Sequence, residues 1–194
     1  ATQDLCTEDH GDVLSPTGTC TVLGEGNYEC VMAETACTAG VCVEGECVTA
    51  RAPVAGDLVI NEMNADSSFG PAGTWLELHN TTQDALLLSG GSIEVVRGGA
   101  THTTTFPDIP PVLLEAHGYF VVGGNADPAQ NGNVNLDLED TGLWLEAGAG
   151  SITLKNADAA TLDAVVWDAT WPSYNGYSRS LSVAALLGDA VALN

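Results

Sequence analysis

The chain has 194 residues, of which 26 are Asp or Glu and only four are Lys or Arg, giving a formal net charge of −22 at neutral pH. A surface this acidic repels phosphate backbones and anionic headgroups, so nucleic acid is excluded as a partner and cations or basic protein surfaces are favoured. No apolar run approaches the roughly 18 residues that suggest a membrane span, so no membrane insertion is expected, and the length suits one substantial core with a small extra unit.

The opening "ATQD" reads as the mature end of a secreted protein cleaved after a small residue. Residues 1–48 hold all six cysteines, Cys6, Cys20, Cys30, Cys37, Cys42 and Cys47, together with nine acidic residues and no Lys or Arg. An even cysteine count in a segment too small and polar to bury a core predicts three disulfides in its place. The setting is then oxidising: secreted, extracellular or cell-surface. Zinc is the competing use, but there is no C-x-x-C pair and only His10 is nearby. Spacing singles out none of the possible pairings. Turn-rich stretches such as "SPTGTC" and "GEGNYEC" predict loops and short hairpins, and "CTAGVCVEGECV" resembles small cysteine-rich repeats of secreted and surface proteins. Residues 49–56, "TARAPVAG", have the composition of a linker.

From Asp57 the chain reads as all-β. "DLVINEMNA", "TWLELHN", "ALLLSGGSIEVV", "THTTTFP", "GYFVVGG", "GLWLEAG", "SITLKNA" and "TLDAVVWD" are short β-type runs separated by Gly, Pro, Asn and Asp, as in a two-sheet sandwich or a barrel. In "TWLELHN", Leu76 and Leu78 alternate with Trp75, Glu77 and His79. In "SITLK", Ile152 and Leu154 share a face, and "YFVVGG", apolar on both faces, predicts an internal strand. Nothing before Leu181 has helical periodicity. Residues 183–194 are mostly apolar and predict a docking or strand-adding segment, with Leu186, Leu187, Val191 and Leu193 as its contacts.

Candidate chemistry is sparse. Glu62, Glu77 and His79 place carboxylates and an imidazole close enough for metal or catalytic work. His10, His102 and His117 are scattered among turns, and neither a nucleophile elbow nor a phosphate loop occurs, so no enzyme is expected. Between residues 125 and 140, Asp127, Asn131, Asn133, Asn135, Asp137 and Asp140 are hard oxygen donors of the kind Ca²⁺ takes, and no other cofactor is expected. The same alternation also describes a strand with one polar, solvated face. Trp167, Trp171, Tyr174 and Tyr177 crowd into "WDATWPSYNGY", a density typical of interface anchors, with coverage of one sandwich end as the competing use.

The order "GDLVINEMNAD", "GTWLELHN", "LLLSGGSIE", "FPDIPPVLLEAHGYFVVGGN", "LDLEDTGLWLEAGAGSITLKNADAATLDAVVWD" and "NGYSRSL" resembles the lamin tail domain of bacterial secreted proteins, over residues 57–182. The resemblance implies an immunoglobulin-like β-sandwich, used for binding or scaffolding and not for catalysis. It also implies that Asn61, Glu62, Trp75, Glu77, Asn80, Asp163 and Arg179 form a structural signature. Its carboxylates accept backbone N–H groups, and Arg179 pairs with a carboxylate to orient the last strand. Gly91 departs from the family pattern, which has an aromatic there, and leaves a gap for another residue to fill. The expected function is a non-catalytic extracellular structural protein that associates with itself, or with another extracellular protein, in a fibre or surface assembly. The alternative is a monomeric secreted module that binds a protein, a glycan or Ca²⁺.

Overall fold

The computed structural model describes residues 5–8, 10–24, 27–38, 40–171 and 174–180, with backbone alone for 16–20, 22–24 and 27–30. The apolar segment with Leu186, Leu187, Val191 and Leu193 lies outside the described residues.

The N-terminal unit contains β1 (Leu5–Cys6), β2 (Asp12–Gly24) and β3 (Asn27–Ala36), an antiparallel sheet in the order β1-β2-β3. It also contains the hairpin of β4 (Gly40–Val43) and β5 (Glu46–Thr49). Where composition predicts short hairpins, β2 and β3 make a ribbon of 13 and 10 residues. Pro16, which has no N–H for a ladder, falls at the register shift between Ser15 and Thr19. The β4–β5 turn, Glu44 and Gly45, has φ of 51° and 84°, the two left-handed residues of the turn that matches strand twist. Cys42 and Cys47 face each other across this hairpin, yet each bonds outward: Cys42 to Cys6 on β1, and Cys47 to Cys37 just after β3. The hairpin is thereby stapled to the ribbon at both of its strands. Cys20 and Cys30 are register partners on β2 and β3; their side chains lie outside the described residues. This is a cysteine-rich module.

The second unit contains β6 (Leu58–Asn64), β7 (Trp75–Asn80), β8 (Leu86–Leu87), β9 (Ser92–Arg97), β10 (Ala100–Thr105), β11 (Leu113–Leu114) and β12 (Tyr119–Gly123). These are followed by the one-turn helix α1 (Pro128–Asn131), then β13 (Leu138–Glu139), β14 (Gly150–Lys155), β15 (Thr161–Trp167) and β16 (Arg179–Ser180). Two sheets form, ordered β10-β9-β14-β15 and β13-β12-β7-β6-β16, with β8 and β11 pairing separately. Their inner faces bury one core, with Leu58, Ile60, Leu76, Leu78 and Val122 from one sheet and Ile93, Val95, Ile152 and Leu154 from the other. Phe106, just after β10, meets Phe120 of β12 edge to face at 5.7 Å. The alternation in β7 buries Leu76, Leu78 and Asn80 and turns Trp75, Glu77 and His79 outward, and β12 is internal to its sheet. The result is an all-β, immunoglobulin-like sandwich preceded by the cysteine-rich module. No helix among the described residues is long and apolar enough to cross a membrane.

Within this unit the structure departs from the sequence expectations first at "GLWLEAG" and at Gly91. "GLWLEAG" is not a strand: Leu143 and Leu145 are buried, but the carbonyls of Gly142 and Trp144 are taken by the Arg97 guanidinium, at 3.2 and 3.1 Å, and not by a neighbouring strand. At Gly91 no gap exists. A Cβ there would lie 2.8 Å from the Lys155 carbonyl and 2.9 Å from that of Leu88, and the Phe106 ring already stands 3.4 Å away. Residues 51–56 engage the sandwich directly. Arg51 bridges to Leu86 and holds Asp57 and Asp84 at 2.5 and 2.8 Å, and the Pro53 carbonyl accepts from Asn156.

Candidate functional site

Five of the seven signature residues, Asn61, Glu62, Trp75, Glu77 and Asn80, lie on the paired strands β6 and β7. The register slips between Ile60 and Glu62, so that Asn61 is an extra residue in β6. Such a bulge frees a side chain, and Asn61 uses it to donate from Nδ2 to Glu77 Oε1 at 2.7 Å. The slip also sets Glu62 opposite Glu77, a like-charge pairing that would cost stability if unrelieved. Asn61 serves one carboxylate, and Ser178, beside β16, donates a short hydrogen bond from its hydroxyl to the other. His79, third of the group read as metal or catalytic, stacks on Tyr119 at 4.5 Å and has Nδ1 3.2 Å from the Gly118 carbonyl.

Asn80 and Asp163 do more for the fold. Asn80 is fully buried. Its Nδ2 donates to the carbonyls of Asp84 and Glu115, each at 2.8 Å, and of Leu114 at 3.3 Å, while its Oδ1 accepts from the Thr82 N–H and hydroxyl. One amide therefore closes two loops against the end of β7. Asp163 on β15 accepts the Ile60 N–H at 2.8 Å, just beyond the stretch of β6 that β16 covers, and so ties one sheet to the other. Trp75 lies half-buried opposite Asn64, beside a cleft of about 210 Å³ that is also lined by Phe69 and Asn131.

The carboxylate expected to pair with Arg179 acts only at a distance. Burial lowers the Arg179 pKa against the opposing pull of Asp66, Nη1 and Nη2 are buried without hydrogen-bond partners among the described residues, and the Trp171 ring lies 5.8 Å from the guanidinium carbon. The last strand is held by ring and backbone instead.

The 125–140 stretch does not gather its six oxygen donors around one point. Asp127 caps α1 through the Ala129 N–H, and Asn131 is buried and bonded to the carbonyls of Asn125 and Val134. Asn133 takes a left-handed φ of 65°, Asn135 is exposed, and Asp137 accepts the Val121 N–H at 2.8 Å. Asp140 turns the other way, to His102 Nε2 at 2.8 Å, the Thr104 hydroxyl at 2.7 Å and the Gly142 N–H at 2.9 Å. Burial pushes the Asp140 pKa up, but these hydrogen bonds outweigh it and the net shift is downward. The cluster of Asp140, His102 and Thr104 was not visible in the sequence, because its members lie 36 and 38 positions from Asp140. Among the described residues no group of three or more His, Cys, Asp or Glu side chains is placed to hold a metal ion.

The four aromatics part company. Trp167, grouped by sequence with the interaction residues, belongs to the core: it is 2% exposed, its indole N–H donates to the Glu146 carbonyl, and its ring fills the space a Cβ at Gly150 would need. Its neighbours on β15 alternate outward, and period-two packing carries its large ring inward. Trp171 is partly buried against the core, whereas Tyr174 and Tyr177 are 72% and 73% exposed with ring centroids 6.5 Å apart.

No curated protein matches the chain. The model of one family, the lamin tail domain, matches residues 51–169, more than half of the sequence and the whole span from Arg51 to the end of β15. The bulge at Asn61, the Asn80 loop clamp and the Asp163 tie between sheets all lie in that span. The chain belongs to the lamin tail domain family.

Proposed function

We propose that this protein is a secreted or cell-surface structural subunit that associates with itself into a fibre or other regular assembly and carries out no catalysis. The observation that carries the reading is that the polar side chains of the signature are consumed by the fold. Asn61, Glu62, Glu77, Asn80 and Asp163 all have partners within the sandwich. The disulfides fit an oxidising compartment. The apolar stretch at residues 183–194 supplies a joint by adding to a neighbouring molecule.

Light scattering and negative-stain microscopy of the native protein, with and without millimolar Ca²⁺ and reductant, test the reading. Regular assemblies that disappear on removal of residues 183–194 are the expected result, and a monomer of 19.9 kDa under every condition overturns it. The exposed Tyr174–Tyr177 pair favours a second reading, a monomeric module that binds a protein or a glycan through those rings.

A further inference from the structure

Edge strands present a row of unpaired backbone groups, and proteins usually blunt them with charge, proline, a bulge or a short length. Most edges of this protein are treated in one of these ways. Strands β13 and β16 are two residues long, and β3 carries Glu29 and Glu34. Strand β15 is tied to the neighbourhood of β6, through the Ile60 N–H on Asp163 and the Gly56 N–H on the Leu162 carbonyl.

Strand β10 is the exception. Its six residues, Ala100–Thr105, pair with β9 in unbroken register and contain no charge from Asp, Glu, Lys or Arg and no proline. Among the described residues nothing pairs with its other side. The turn into it, Gly98 and Gly99 with φ of 52° and 80°, closes the β9–β10 hairpin tightly.

The face beside this edge is also unusual for so acidic a chain. The register places Thr101, Val96, Ser151 and Val166 in one outward row across the sheet. The only charged strand residues on the face, Glu94 and Lys155, neutralise each other at 2.7 Å. A second copy approaching from most directions meets like charge, whereas β10 itself carries no carboxylate, and the carboxylate bonded to it, Asp140, is engaged by His102 and Thr104.

We infer that two copies of this chain pair edge to edge, β10 against β10 in antiparallel register, making one sheet from the two four-stranded ones. Because β15 carries the Asp163 charge and an irregular register against β14, the sheet grows past β10 and the pairing closes at two. This inference rests on the self-association proposed above and names one of its contacts; the segment at residues 183–194 then joins the pairs.

The test is sedimentation of the full chain over a concentration series, with hydrogen exchange followed at residues 100–105. The variants are Thr101→Glu with Thr105→Glu, and separately Thr103→Lys, which is opposite Glu94 and keeps the fold by pairing with it. The expected result is a concentration-dependent dimer whose β10 amides gain protection as it forms. Either variant weakens the dimer about tenfold or more, as an edge blunted by charge should. A chain that associates with β10 amides unchanged, or with both variants as tightly as the parent, overturns the edge assignment alone. A dimer that vanishes on removing residues 183–194 makes that segment the occupant and also overturns it. A chain monomeric throughout overturns the self-association reading as well.

Discussion

Asn80 shows why a polar residue in an apolar face can be structural. Its amide supplies donors and an acceptor for loops 81–84 and 114–115, and removing it costs a set of buried hydrogen bonds that no other single side chain replaces. Asn80→Asp keeps the shape but places a carboxylate against carbonyls, and Asn80→Ala removes every bond. Both should lose about 2–4 kcal/mol in urea unfolding, with Asp at least as costly as Ala. Asp140 gives a pH signature. Its folded-state pKa is depressed, so its contribution is present above the unfolded value of about 4 and is lost as pH falls through the lower folded value. The urea midpoint of the parent should therefore fall more steeply between pH 5 and pH 2 than that of Asp140→Asn. Parallel curves would remove Asp140 from the acid response.

At the scale of elements, the two units are held by different forces. The cysteine-rich module relies on cross-links that span 36 and 10 positions, each worth about 2–4 kcal/mol by constraint of the unfolded chain. The sandwich from residue 57 onward has no cysteine and all four tryptophans, so tryptophan fluorescence reports it alone. Reduction should abolish ordered strand signal from the module, seen by hydrogen exchange at β2 and β3, while the fluorescence melting transition keeps its midpoint. A fluorescence transition that falls on reduction would mean that the module supports the sandwich.

At the scale of the molecule, charge is the dominant fact. With −22 spread over 194 residues, self-repulsion opposes both the compact state and association, and salt screens it over about 10 Å at 0.1 M. Raising NaCl from 10 to 200 mM should raise the melting temperature and tighten any self-association together. Association that weakens with salt would point instead to a basic partner surface.

Much of this architecture is determined by local sequence. Alternation in "TWLELHN" and "SITLK" sets which side chains face the core, and the cysteine cluster marks a module that cannot stand on apolar burial. These are short-range properties, readable wherever one face is buried and the next solvated. Other features were decided only by tertiary structure. "GLWLEAG" looks like a strand, but Arg97, which reaches it from β9, supplies the donors a neighbouring strand would have given. The oxygen-rich 125–140 stretch looks like a cation loop until its donors are seen turned to a helix cap, a buried amide and an imidazole. Trp167 looks like an anchor until β15 carries it into the core. In each case the deciding partner is far away in sequence, and hydrogen-bond satisfaction between distant segments leaves no local pattern to read.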